Sequence, residues 1–319
     1  MSGRIRSLRI LMVFVVVASL QAADDIPYRL FPSLYRKSAI LSLPQGVPTR
    51  VANGEARALS ERIPLLANTT VVAFYGHPSS KKMGILGLYP KEEVARQVKN
   101  YARMYDAVNG KDTAMAAFYL IYGTCWPAGE IGYLSDEITE EYINYAQEQG
   151  MLVFIDHQIG KYTVEESMKR ILPFLKYPNV HLAIDPEWRT LKPMREIGSI
   201  TAAELNKAQR IMQDYIVENG IPGIRMLVVH QFQEKMISNR PDVKADLDRV
   251  LLVHTADGFG SPPLKKNTYA MNTKADNMPT KGFKLFFKSD FPLAGYDNPL
   301  LSPEEVMALE PRPGLVMYQ

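Results

Sequence analysis

The chain has 319 residues, 46% hydrophobic and 22% charged, an ordinary globular composition with room for one large domain or two small ones. Its formal charge of +3 comes from Arg4, Arg6 and Arg9; without them the 34 acidic residues are balanced by the remaining basic ones, which leaves no electrostatic footprint for a nucleic acid. The only cysteine, Cys125, cannot form an internal disulfide.

In chain order, the three arginines precede an apolar run at 10–20, followed by small residues and then Asp24 and Asp25. This is the layout of a secretory signal. The run falls well short of the ~20 residues that span a bilayer. Residues 1–23 are therefore expected to be a signal peptide cut near Ala22 or Ala23, or, uncleaved, an N-terminal tether to the membrane. Either way the protein is expected to be exported, to the periplasm or beyond the cell. Residues 24–68 carry prolines at 27, 32, 44, 48 and 64 and read as an extension around the main domain, with one short helix near 55–63.

From residue 69 apolar runs alternate with amphipathic ones. The first strand is placed at 70–75, ending in Gly76, His77 and Pro78. Pro90 opens a helix that reaches about residue 107, with Gly110 beyond it. The second strand is 115–122, and its long loop carries Trp126 and Tyr133. A helix follows from Ser135 to Gly150. The third strand, 151–155, runs into Asp156, His157 and Gln158. Thr163 with Glu166 is a capping box, as is Thr201 with Glu204, whose helix stops at Gly220. Between those helices the fourth strand leads into Asp185, Pro186, Glu187 and Trp188. The fifth strand, 224–229, ends in His230, Gln231 and Phe232. An irregular crossover containing Pro241 leads to the sixth, 250–253, and then to His254, Asp257, Gly258 and Phe259. A long polar loop precedes the seventh strand, 283–288. Ser302 starts a last helix, and the eighth strand is 314–318.

Strands alternating with helices imply right-handed parallel crossovers. Eight such units at 69–319 fit an α/β fold, a (β/α)8 TIM barrel, with a doubly wound open sheet as the alternative. In a barrel the carboxyl ends of the strands carry the site. Those ends hold Tyr75, His77, Tyr122, Asp156, His230, Gln231, His254, Asp257, Lys288 and Asp290, and four of the five histidines lie there. Period-two alternation turns His157 toward the helices. Lys284 reads as a buried cation paired with a barrel carboxylate, and Asp257 with Gly258 also suits a plain turn.

Asp185 and Glu187 stand out. Read as strand, they share a face with Cβ atoms roughly 6–7 Å apart. Pro186 should end the ladder there, and the Trp188 indole lies alongside. Trp126, Trp188, Phe259 and Tyr269 would suit stacking on sugar faces.

Three functions follow. The first is glycoside hydrolysis: Glu187 as acid, its proton affinity raised by Trp188 and Asp185, Asp185 orienting a substrate group, and Asp156 or Asp290 as second carboxylate. Tyr75, His77, Tyr122, Trp126, Trp188, His230, Gln231, His254, Asp257 and Lys288 would line the site. The partner would be a carbohydrate or another small polar substrate, with no metal and no cofactor. Asp-x-Glu at the end of the fourth strand resembles the motif of glycoside hydrolase families 18 and 25, the chitinases and barrel lysozymes, which implies roles for Asp185 and Glu187. The second is a metal-dependent hydrolase, because His230 and His254 resemble two ligands of the amidohydrolase barrels. The third is a non-catalytic barrel that binds envelope glycan or protein.

A longer resemblance covers about 71–319. It rests on Asp185-Pro-Glu-Trp-Arg189, Val229-His-Gln-Phe232, Asp257-Gly-Phe-Gly260, Gly282-Phe-Lys-Leu-Phe286 and the Tyr318-Gln319 end. These are similar to a family of exported bacterial barrel proteins, common in actinobacteria. That resemblance implies the barrel and the exported location, and it supplies no reaction.

Overall fold

The computed structural model describes residue 66, residues 68–291 and residues 294–319. The expected signal segment, the tether and nearly all of the expected extension lie outside the described residues.

The chain folds as a closed barrel. Strand β1 (Thr69–Gly76) is followed by helix α1 (Lys91–Asp106), then β2 (Thr113–Cys125), a short β3 (Ile131–Tyr133) and α2 (Asp136–Glu148). Next come β4 (Leu152–Gln158), α3 (Val164–Ile171) and β5 (Val180–Asp185). Then β6 (Ile200–Thr201), α4 (Ala202–Glu218), β7 (Arg225–Gln231), β8 (Ile237–Ser238) and β9 (Val250–Ala256). The chain closes with α5 (Pro262–Thr273), β10 (Lys281–Leu285), α6 (Pro303–Met307) and β11 (Leu315–Tyr318).

The ring runs β1, β2, β4, β5, β7, β9, β10, β11 and back to β1, with every neighbour parallel. Val71 faces Met115 on one side and Leu315 on the other, so the circle has no edge. The open-sheet alternative is thereby excluded.

Strands buried on both faces need apolar residues at nearly every position, and runs such as Ala-Phe-Tyr-Leu-Ile at 117–121 supply them. Odd-numbered side chains of β1, β2 and β9, together with even-numbered ones of β4 and β7, fill the inside: Ala73, Tyr119, Phe154, Val228 and Val253 belong to this inner cluster. The opposite parity packs under the helices as the larger core. Both expected capping boxes form, and a third joins Ser302 to Glu305. Gly150 and Gly220 take positive φ just past α2 and α4, the left-handed turn that glycine permits without strain.

Three expectations need correction. The polar loop expected after the sixth strand contains α5. Its inward side chains are Lys265, Tyr269 and Asn272, spaced for a helix but polar, so no apolar stripe marks it. The seventh strand stops at Leu285, because the Phe286 N–H turns to the carboxylate of Asp297 at 2.9 Å. Finally, Asp185 ends its strand and Pro186–Trp188 is a single 3-10 turn. Strand alternation is therefore not what brings Asp185 and Glu187 together.

Candidate active site

The carboxyl ends of the strands surround a cavity of about 950 Å³. Asp185, Glu187, Asp257, Lys284 and Tyr75 reach its inner end; Trp188, Phe232, Phe259 and Phe286 form apolar walls; Lys288, Asp290 and Gln319 line it farther along the chain.

The inner end is a single polar network built on parity. Tyr75, Tyr119, Asp156 and His230 all point inward from four different strands. Tyr75 Oη donates to Asp156 Oδ2 at 2.9 Å. His230 Nδ1 lies 2.8 Å from Asp257 Oδ2, and its Nε2 lies 2.7 Å from Tyr119 Oη. Lys284 Nζ sits 3.4 Å from that same Asp257 oxygen and 3.7 Å above the Tyr75 ring. Asp156, Tyr119 and His230 are fully buried and absent from the cavity wall, so they form a layer beneath it.

Asp185 turns its side chain back on the chain, accepting the Glu187 N–H at Oδ1 over 3.2 Å. This is a carboxylate capping a one-turn helix, and it holds Glu187 beside it. Glu187 is half-buried at the cavity wall, and its carboxyl takes no hydrogen bond from any described residue.

The electrostatics separate these carboxyls. Burial, reinforced by the charge of Asp185, pushes Glu187 up to about 8. Burial also raises Asp185 to about 6, with Asp156 and Asp257 adding to the rise against His230. Burial raises Asp156 as well, opposed by His230 and Lys284. Asp257 goes the other way: burial would raise it, but His230 and Lys284 outweigh that and hold it below the usual carboxylate range. For His230, burial would lower the value, and Asp257 with the other carboxylates lifts it to about 9. At neutral pH the site therefore holds a protonated Glu187 near an ionised Asp257.

Several residues expected at the site lie elsewhere. His254 and Gln231 have the outward parity, and they bond each other at 2.7 Å between β9 and α5. Lys281 reaches His254 Nδ1 from the same layer at 3.3 Å, and burial with this cation holds the imidazole well below its ordinary value. His230 and His254 thus face opposite sides of the barrel wall, which removes the ligand pair of the metal-dependent alternative. Among the described residues no group of three His, Cys, Asp or Glu side chains converges as metal ligands. Tyr122 also faces outward, donating to Asp136 at 3.1 Å and packing on Phe174. Tyr269 is buried under α5 with its hydroxyl on the Pro311 carbonyl at 2.5 Å. His77 and Trp126 fall outside the cavity lining. Trp126 stands half-exposed on the β2–β3 hairpin, over Gly132. His157 faces outward as parity requires, against Tyr133.

The sequence reading missed Tyr119 as a site residue. Its parity with Ala117 and Ile121 would have placed it inside. The cavity contacts of Gln158 and Cys125 were missed too; the Cys125 N–H bonds Gln158 Oε1 at 2.7 Å, and burial raises the Cys125 thiol to about 12, far from a thiolate nucleophile. No described helix is long and apolar enough to cross a membrane.

No family model and no curated protein matches the chain. Solved structures do. An oxaloacetate acetylhydrolase in complex with oxalate is 11% identical over 83% of this chain and 79% of its own, at a TM-score of 0.49. The family 18 chitinase ChiB of Flavobacterium johnsoniae is 9% identical over 79% and 88%, at 0.44. An endo-β-1,4-glucanase of Xanthomonas axonopodis pv. citri is 13% identical over 79% and 87%, at 0.43. Likenesses this remote go no further than the barrel, which the strand pairing already establishes.

Proposed function

We propose that the protein is a glycoside-hydrolase-like enzyme with Glu187 as its general acid. One observation carries this reading: a half-buried carboxyl with no hydrogen-bond partner among the described residues faces a large, aromatic-walled cavity, with a second carboxyl fixed beside it by the Asp185 cap. Burial keeps the Glu187 proton in place at neutral pH, which is the requirement for an acid catalyst.

In the proposed reaction the Glu187 proton passes to the glycosidic oxygen. The bond from that oxygen to the anomeric carbon breaks, and the leaving sugar departs as an alcohol. The positive charge that develops on the ring is offset by Asp257, whose carboxylate is kept ionised by His230 and Lys284. Water adds to the anomeric carbon and gives its proton to a cavity carboxylate. Asp185 fixes Glu187 and raises its proton affinity. Asp156, sealed beneath the floor and bonded by Tyr75, supports His230 and meets no substrate. Trp188 and Phe259 offer stacking surfaces. The N-terminal segment would direct export, so the substrate would be cell-envelope or environmental polysaccharide.

The test is release of reducing ends from a panel of polysaccharides by the wild-type protein and by Glu187→Gln. The reading requires hydrolysis of at least one glycan, lost in the variant while its thermal melt is kept. Equal turnover by both proteins would overturn it.

A further inference from the structure

Three lysines are buried in the barrel, and two of them are fully engaged. Lys265, 2% exposed, donates to the carbonyls of Gly258 and Lys284 and lies 3.5 Å from Asp297. Lys281, also 2% exposed, donates to the carbonyls of Asn272 at 2.8 Å and Ala275 at 2.9 Å and contacts His254. A desolvated ammonium requires such partners, and each has three donors to place.

Lys284 differs. It is 4% exposed, points inward from β10 and lines the cavity. Its Nζ rests on the Tyr75 ring, with Phe286 at 5.3 Å. Its one close carboxylate oxygen, Asp257 Oδ2, is already bonded to His230 at 2.8 Å. No described residue accepts a hydrogen bond from Lys284 Nζ. The donors of this ammonium are therefore left for whatever enters the cavity.

The same cavity carries Lys81, Lys82 and Lys288, all exposed. None of these pairs with a carboxylate of the described residues; Lys82 lies over Phe291 and Lys288 over Tyr296. Asp290 on the same wall offsets one of them, and Asp297 is occupied by Lys265 and two backbone N–H groups at 2.9 and 3.0 Å. A cationic approach leading to a buried ammonium whose only near carboxylate among the described residues is shared with His230 suits an anionic ligand.

We infer that the saccharide bound here is acidic, and that Lys284 holds a carboxylate of the sugar unit beside the scissile bond. The scissile bond comes from the glycosidase reading; the anion site does not depend on it. A singly charged carboxylate suits the floor better than a dianionic phosphate ester. Asp185 and Asp257 stand at the same inner end, and a second negative charge would meet them with no uncommitted buried cation among the described residues to offset it, since both ring nitrogens of His230 are taken by Asp257 and Tyr119. Glu187 holds its proton there and does not repel the incoming group.

The experiment uses the full chain and matched probes. Tetramers of galacturonate, glucuronate and mannuronate are each compared with their methyl esters, which keep the sugar and remove the charge. Affinities are read by titration calorimetry at low and high salt. At least one acid form should bind about ten- to a hundredfold tighter than its ester, the difference made by a charge-assisted hydrogen bond. Lys284→Met should erase the acid-over-ester ratio while Lys284→Arg, which keeps the charge and the donors, retains part of it, a split that a merely structural role would not give. Equal affinities in every pair, or a ratio that survives in Lys284→Met, would overturn the inference. If Lys284→Met does not fold, the paired change Lys82→Ala and Lys288→Ala replaces it. It should flatten the salt dependence of acid binding; salt-independent binding of the acid form by the wild type would overturn the inference. Hydrolysis of neutral glycans through Glu187 without an acid preference would remove this inference alone. An acid preference without hydrolysis of any glycan would remove the reaction alone.

Discussion

The backbone N–H of Glu187 points at Asp185 Oδ1, 3.2 Å away, so the carboxylate that caps the 3-10 turn also sets the proton affinity of the next carboxyl. Burial is the larger cause of the Glu187 shift and the Asp185 charge the next. Asp185→Asn keeps a capping oxygen and removes the charge. The Glu187 titration should then move down from about 8, stopping short of the ordinary carboxyl range because burial remains. Carbon-13 NMR of the labelled glutamate carboxyls, assigned with Glu187→Gln, would show it. An unchanged or higher midpoint would contradict the coupling.

The contribution of Glu187, Asp185 and His230 to folding stability should fall as pH rises from about 5 to about 9, against the opposite contribution of His157, His181 and His254, imidazoles that burial holds low. Glu187 is raised from 4.5 to about 8, Asp185 from 3.8 to about 6 and His230 from 6.5 to about 9. All three bind protons more tightly when folded. Their stabilising contribution is complete below the unfolded values and is lost as pH climbs through the folded ones. Chemical denaturation across this range, wild type against variant, isolates each contribution. Glu187→Gln should make the slope less negative in the lower part of the range, and His230→Gln in its upper part, between about 6.5 and 9. A slope unchanged in both variants would show that these groups are not shifted.

Asp297 should matter to stability far more than an ordinary loop aspartate. It accepts the N–H groups of Gly260 and Phe286 and faces Lys265 at 3.5 Å, tying two strand-end loops to α5. Asp297→Ala leaves a buried ammonium without its counter-charge, a loss of about 3–5 kcal/mol. Urea unfolding measures it, and a loss below about 1 kcal/mol, the range of exposed ion pairs, would mean that water already reaches the pair.

Gly282 is needed for space. A Cβ there would sit 2.4 Å from Thr255 Oγ1 on the neighbouring strand. Gly282→Ala should cost about 1–3 kcal/mol. Thr255→Ala removes the obstructing atom, so the double variant should recover part of the loss in a mutant cycle. Strict additivity would place the strain elsewhere.

His254 should act on folding and not on turnover. Its ring joins Gln231 to Lys281 on the outer face of the strands. His254→Ala strands buried partners and should cost about 1–3 kcal/mol, while kcat/KM on any substrate stays near wild type. A large fall in kcat/KM at unchanged stability would return His254 to the site.

The barrel could be read from the sequence because its signals are local. Apolar runs, capping boxes at Thr163 and Thr201, and glycines after helices each report on a few neighbouring residues. Helix α5 shows no apolar stripe because its buried face is Lys265, Tyr269 and Asn272, which bond to the carbonyls of Lys284, Pro311 and Gln231, 19, 42 and 41 residues away. The site was half readable. Parity sent His157 outward, and the same rule assigns Tyr122, Gln231 and His254 outward and Tyr119 inward, once the strands are known to extend to Cys125, Gln231 and Ala256. The ends of those strands carry polar residues, and apolar periodicity stops before the ladder does. Strand alternation puts Glu187 beside Asp185 for the wrong reason: a turn closed by Asp185 places it there. Lys284 was foreseen as the partner of a barrel carboxylate, and Asp257 is that partner.

The pH dependence of kcat/KM on a hydrolysed glycan tests the central claim most directly, because its basic limb reports the acid of the free enzyme. A descending limb centred near 8, the value burial and Asp185 give Glu187, and displaced to lower pH in Asp185→Asn, is the expected result. A limb near the ordinary carboxyl value of 4.5, or one that Asp185→Asn does not move, would contradict the account.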